Sequence, residues 1–338
     1  MLQTLRRSRI SGVGKFLPPR IVKNQDLEKL MNTSDEWIKQ RTGIEERRWI
    51  EPGMTNAAMG HEAAVQALKD AQKTPEDIDA IIYATLSPDH FFPGCGVMIQ
   101  KSLCPGKTVP ALDIKNQCSG FLYALSVADA WIKSGIYNCV LIVGGEIHST
   151  GLDQSPEGRD IGVLFGDGAG AVIVEPTDKT GDGILVTKLH SEGEHLEKLW
   201  CHGPSSSDFP RLIKGSQVIG ESYFPSMDGR FVFKNAVTRM CEVMVESCQS
   251  IGVKVKDIDF VVAHQANLRI NSMVLEQLEV PAHKTLNTLQ KYGNTTAATL
   301  PIGLQEAKEG GLLKPGQLVA MVAFGSGFTW GATLIRWS

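Results

Sequence analysis

The sequence predicts an α/β protein made of two similar halves, roughly 1–178 and 179–338, packed so that related loops meet near the middle. Three observations point there. The order helix, short acidic turn, buried strand, polar loop occurs twice, and Asp77-Ile78-Asp79 in the first copy answers Asp257-Ile258-Asp259 in the second. A Gly-rich turn entering an apolar strand closes each half, as "LFGDGAGAVIVE" (164–175) and "VAFGSGFTWGATLIRW" (322–337). Two echoes in one order favour duplication over two ordinary αβ units. The runs "CVLIVGGE", "GAVIVE" and "LVAMVAFG" are short and apolar at successive positions. Strands of that kind are buried on both faces, so helices cover the sheets on both sides.

Along the chain, the stretch from Val65 to Ala71 reads as amphipathic helix, and "IDAIIYA" as the strand after it. In "DIKNQCSGFLYALSVADAWIKSG", Phe121, Leu125, Ala128 and Ile132 recur at helical spacing and Gly135 marks a stop. Nearly every face of that helix is apolar, which makes it central. The second half repeats the pattern: "VTRMCEVMVESCQSIG" as helix, "DFVVAH" as strand, "KYGNTTAATLPIGLQEA" as polar loop entering a helix.

Cys118 stands at the start of the central helix, where free N–H groups and the helix dipole favour negative charge. The expected effect is a thiol pKa lowered from about 8.5 toward roughly 4–7, hence a thiolate nucleophile. Ser119 and Gly120 are small enough to let a carbonyl approach the backbone. A buried cysteine acting as a small hydrophobe is the competing reading; the other six cysteines are read that way. By the repeat, the "DFVVAH" strand delivers His264 to its sheet edge, and Asn294 lies in the loop before a helix matching that of Cys118. Pseudo-symmetry brings the three toward one centre. The turn "FGSGFTWG" exposes backbone N–H groups, so Gly327 is a candidate to complete an oxyanion hole with the Cys118 amide; a tight turn between core strands explains it equally well.

Composition narrows the classes. A net charge of −3 provides no global field for nucleic acid or anionic membrane, so an acidic partner needs a local basic patch. No run reaches the about 18 apolar residues of a membrane span, and the basic start of the chain lacks the apolar run of a secretory signal. Seven cysteines without CxxC spacing argue against disulfides and zinc and fit a reducing cytoplasm. "GDGAG" leads into a strand rather than the helix a dinucleotide site needs, "GVGK" is not a P-loop, "HEAAV" lacks a second zinc-binding histidine, and GxSxG is missing.

The motifs "TSDEWIKQRTGI", "QCSGFLYALSVADAWI", "FGDGAGAVIV", "HQANLRI", "YGNTTAA", "KPGQ" and "FGSGFTWGA" follow one another in an order that resembles the thiolase superfamily. Within it, the chain is most similar to β-ketoacyl-acyl carrier protein synthase III, the FabH type. The resemblance implies a thiolase-like αβαβα core of duplicated, pseudo-symmetric halves and a Cys118–His264–Asn294 triad. Cys118 would carry a primer taken from acyl-CoA, and malonyl-acyl carrier protein would lose carbon dioxide and attack it. The product would be a 3-oxoacyl-acyl carrier protein that starts fatty-acid synthesis. No cofactor or metal beyond the coenzyme A thioester substrates is implied.

It further implies that Trp37 and Arg159 hold the adenine of coenzyme A and that Arg41 meets its phosphates. Phe233, Ala266 and Asn267 would line the pantetheine channel, with Arg269 at its mouth. Phe92, in "FFPG", would reach across a homodimer to bound the partner's acyl pocket. Two features depart from the family. Glu276 and Gln277 replace the usual lysines, leaving carrier-protein docking to Arg230, Lys234, Lys254 and Arg269. The segment 195–227 is longer than usual and is expected to shape or cover the entrance. "TLSPDH" and "QCSG" are also similar to PqsD-like condensing enzymes, which leaves primer identity open.

Overall fold

The computed structural model describes residues 6–203 and 224–338. Nine strands form two sheets. β1 (Arg7–Phe16), β2 (Ala80–Ala84), β3 (Ala111–Ile114), β4 (Val140–Glu146) and β5 (Gly168–Thr177) pair in the order β1-β5-β4-β2-β3. β6 (Gly183–Ser191), β7 (Phe260–Ala263), β8 (Leu318–Gly325) and β9 (Thr329–Arg336) pair in the order β6-β9-β8-β7. Direction repeats as well as order. β1·β5 and β5·β4 are antiparallel and β4·β2 parallel, and likewise β6·β9 and β9·β8 are antiparallel and β8·β7 parallel. Where the second sheet lacks a counterpart to β3, Thr285 makes a single parallel bridge to Val261 of β7.

The strands alternate between two cores, as a pleat with both faces covered must. From β4, Val140 and Ile142 face the inner core, while Leu141 and Val143 face an outer one. Among the described residues, six helices cover the sheets, α2 (Asn56–Asp70), α3 (Cys95–Leu103), α4 (Gly120–Ser134), α5 (Gly229–Ser250), α6 (Leu268–Gln277) and α7 (Thr299–Glu309), while α1 (Asp35–Thr42) packs beside α6. The inner core joins both sheets through Phe121, Leu125 and Ile132 of α4 and Leu300 and Leu304 of α7. α2 and α3 cover the outside of the first sheet, and α5 and α6 the outside of the second. The result is five layers, α-β-α-β-α.

Two local features let the layers close. A Cβ on Gly12 or Gly14 of β1 would lie 2.2 Å from a backbone oxygen of α2, so only glycine permits that approach. α4 ends at Gly135, whose φ of 78° is the left-handed conformation that terminates helices. Asp129, buried on α4, is held by the Ser8 hydroxyl and by Lys133 at 2.7 Å, which satisfies a charge that would otherwise be costly there.

Candidate active site

Cys118 lies in a one-turn 3₁₀ helix, Gln117–Ser119, that feeds directly into α4. Gln117 has a φ of 45°, so the turn is sharp. His264 follows the last residue of β7, and its N–H donates to Val322 O of β8 at 2.8 Å. Asn294 comes after Gly293, and its backbone runs beside the first half: Asn294 N donates to Leu164 O at 2.9 Å and Gly166 N to Asn294 O at 3.1 Å. The three side chains line one cavity of about 630 Å³, with Trp37, Arg41, Phe233, Ala266, Asn267 and Arg269 also in its wall. They are 8%, 2% and 6% exposed.

Burial sets their electrostatics. It pushes the Cys118 thiol up to about 12, helped by the negative charge of Glu146, while the residue's own N–H works in the opposite direction. The thiolate expected from the sequence is therefore corrected to a resting thiol. Cys118 sits one turn ahead of α4 and is largely buried, and desolvation of the anion outweighs the helix terminus. Burial lowers His264 to about 3, so its imidazole is neutral at physiological pH. Neither ring nitrogen has a partner among the described residues. Asn294 Oδ1 accepts from Thr296 N at 2.9 Å, which turns Nδ2, a donor, toward the cavity. One neutral imidazole and one oriented amide are suited to receiving negative charge that develops on a substrate oxygen.

The turn proposed for Gly327 enters the cavity at a different residue. Gly325, not Gly327, lines the cavity, and a Cβ there would meet Cys118 Cβ at 2.8 Å and Cys118 N at 3.0 Å. Gly327, with φ 133°, faces Thr329 instead. The hairpin register that pairs Gly325 with Thr329 decides this. Gly325→Ala is expected to slow reaction at Cys118 on the order of 10²-fold by displacing it and to cost ~1–3 kcal/mol of stability. Alkylation of the Cys118 peptide and a thermal melt measure both, and near-native values would refute the contact.

The Arg41 and Arg159 guanidinium carbons lie 5.0 and 4.9 Å from the Trp37 ring centroid, Arg159 standing outside the cavity wall. Arg159 also donates to Asn32 O at 2.8 Å. Arg269 lies 5.6 Å from the Phe233 ring. Asn267 has a local task too: its side chain caps α6 by accepting from Arg269 N at 2.9 Å, and its Nδ2 donates to Arg41 O at 3.0 Å. Phe92 is 80% exposed and stands outside the cavity wall. The ends of the long 195–227 segment are pinned where Leu199–Trp200 pairs with Ser226–Met227, and Leu199 and Met227 line the cavity. Its middle, 204–223, lies outside the described residues, and so does the expected cover over the entrance. Met240 and Phe324, which the sequence reading missed, complete the apolar wall.

Residues 112–193 match the family model for 3-oxoacyl-[acyl-carrier-protein (ACP)] synthase III, and residues 248–337 match the model for its C-terminal part. A β-ketoacyl-[acyl-carrier-protein] synthase III of Allorhizobium ampelinum is 41% identical over 336 residues, covering 98% of this chain and 99% of the relative. The chain belongs to the β-ketoacyl-[acyl-carrier-protein] synthase III family. The synthase III of Brucella suis is likewise 41% identical over 335 residues, 98% of this chain and 99% of its own. Among solved structures, the synthase III of Aquifex aeolicus has a TM-score of 0.89 at 42% identity, covering 98% of this chain and 100% of that one. The priming β-ketosynthase of the R1128 polyketide pathway has a TM-score of 0.90 at 31% identity, covering 100% and 98%. The five-layer core is thus the thiolase-like fold of synthase III enzymes.

Proposed function

We propose that this synthase III joins an acyl primer to a malonyl group on acyl carrier protein by decarboxylative Claisen condensation and so initiates fatty-acid synthesis. The observation that carries the assignment of residues is the meeting of Cys118, His264 and Asn294 in one cavity. In the first half-reaction the Cys118 sulfur attacks the acyl-CoA carbonyl, the C–S bond to coenzyme A breaks, and the thiol proton leaves with the departing thiolate. The Cys118 amide and the turn beginning at Gly325 stabilise the oxyanion. In the second, malonyl thioester loses carbon dioxide. His264 and the Asn294 amide donate to its thioester oxygen as the enolate forms, and the enolate carbon attacks the acyl-cysteine, expelling the Cys118 thiolate, which takes up one proton from solvent to return to the resting thiol.

This reading includes a coenzyme A adenine at Trp37 and Arg159, phosphates at Arg41, and a pantetheine arm along Phe233, Ala266 and Asn267 with Arg269 at the mouth. It also includes a cytoplasmic homodimer in which the exposed Phe92 bounds the partner's acyl pocket. Two duplicated halves, 1–178 and 179–338, with their break in the turn between β5 and β6, are supported by the matching strand order of the sheets. No helix among the described residues is long and apolar enough to cross a membrane. The full-length synthase III relatives do not favour a PqsD-like role.

A panel of straight, branched and aromatic acyl-CoAs tests the reading. Mass spectrometry of the Cys118 peptide is expected to show one acyl group added and to rank the primers. Loading by none of them would reject it, and preference for an aromatic primer would move the enzyme to the PqsD-like class.

A further inference from the structure

The turn that holds Cys118 and the hairpin turn that faces it are joined by two hydroxyls for which the condensation has no chemical task. Ser119, next to Cys118, is fully buried, and Thr329, the first residue of β9, is nearly so. Ser119 Oγ lies 2.8 Å from Thr329 Oγ1, a bond that crosses from the first half to the second. Asn116 Nδ2 donates to Ser119 Oγ at 3.2 Å, and Thr329 Oγ1 donates to Ser326 O at 3.0 Å. Ser119 Oγ has an alternative acceptor in Asn116 O at 3.1 Å. Each hydroxyl has one proton. Running from Asn116 Nδ2 through Ser119 and Thr329 to Ser326 O, the chain links three bonds in series, and bonds in series reinforce one another. The opposite direction links two and leaves Ser326 O without this donor.

Ser326 is the middle of the Gly325–Gly327 turn, whose first residue closes on Cys118. Among the described residues no backbone hydrogen bond joins that turn to Gln117–Ser119, so side chains set their separation. Thr329 suits the task. It pairs with Gly325 across the hairpin, and its methyl stands 2.9 Å from where a Cβ on Gly327 would lie, which leaves the hydroxyl one direction to point. We propose, deepening the condensing-enzyme reading on which this rests, that Ser119 and Thr329 are positioning residues: their hydroxyl bridge fixes the Gly325–Gly327 turn against Cys118, so that the oxyanion donors are in place before a carbonyl arrives. Neither residue lines the cavity. The bridge therefore matters to reactions that build charge on a carbonyl oxygen, and not to those that merely consume the thiol.

Full-length Ser119→Ala, Thr329→Val, Thr329→Ser and the Ser119→Ala/Thr329→Val double variant are compared with the parent chain, each with a thermal melt. Two probes reach Cys118 without coenzyme A or carrier protein. p-Nitrophenyl acetate transfers its acetyl group through a tetrahedral oxyanion, with p-nitrophenolate leaving and the thiol proton passing to solvent. Iodoacetamide alkylates the sulfur by displacing iodide, with no oxyanion. Thr329→Val is expected to lower acetylation of the Cys118 peptide about tenfold while alkylation stays within about twofold of the parent. Thr329→Ser restores acetylation, and the double variant is no slower than the slower single one. Ser119→Ala, which removes the other end of the bridge, carries the same expectation should the valine variant fail to fold. Equal slowing of both probes, native acetylation in the folded variants, losses that multiply in the double variant, or a parent chain that alkylates but takes no acetyl would each overturn the proposal. A parent chain acetylated by the aryl ester but by no acyl-CoA would sink the functional reading while leaving the positioning role intact.

Discussion

Cys118→Ser is expected to abolish acyl loading, with condensation falling by on the order of 10³-fold or more. The site deprotonates its nucleophile poorly: burial already lifts the thiol to about 12, and an alcohol loses its proton far less readily than a thiol. Sulfur still reacts here because it is intrinsically nucleophilic and can hand its proton to the leaving thiolate. A hydroxyl in the same cavity has neither advantage. Intact-mass measurement after incubation with the best primer, beside a melt showing an unchanged fold, makes the check. A serine variant that acylates at the parent rate would remove Cys118 from the chemistry.

His264→Ala is expected to separate the two half-reactions. Loading persists, because the thiol proton departs with coenzyme A, whereas malonyl decarboxylation drops by roughly 10²–10³-fold, the usual loss when one oxyanion donor is removed. The neutral imidazole matters to the pH profile. With His264 lowered to about 3, its donor capacity is unchanged through the mildly acidic range, so decarboxylation is expected to show no His264 titration between about pH 5 and 8. Release of labelled carbon dioxide from malonyl thioester gives the rate. Blocked loading with intact decarboxylation would exchange the assigned roles.

Much of this architecture can be read from local patterns. Apolar runs such as "LVAMVAFG" announce strands buried on both faces, and the all-apolar α4 announces a helix between sheets. The paired Asp-Ile-Asp turns foreshadow the matching strand orders. Cys118, His264 and Asn294 were each visible because a helix entrance or strand end is where a chain presents a side chain to a cleft. Properties set by distant segments were not visible. The sign of the Cys118 shift depends on how completely other elements seal it. Gly325 and Gly327 flank Ser326 symmetrically in sequence, and only the hairpin register separates them. Glu146 looks like a polar strand end; its one sequence signal is an acid closing an otherwise apolar run. That it closes on Thr85 and Ser87 follows from β4 lying beside β2, a pairing no local pattern specifies.

Trp37 carries a guanidinium on its ring from both Arg41 and Arg159, each about one van der Waals layer away. A planar heterocycle sandwiched between Trp37 and Arg159 needs two such layers, so the gap must widen before it fits. On the proposed reading, arrival of a nucleotide is an exchange: the ring evicts a cation, which becomes free to meet the ligand's phosphates. The indole should report that swap directly, as a change in its emission that saturates with added coenzyme A.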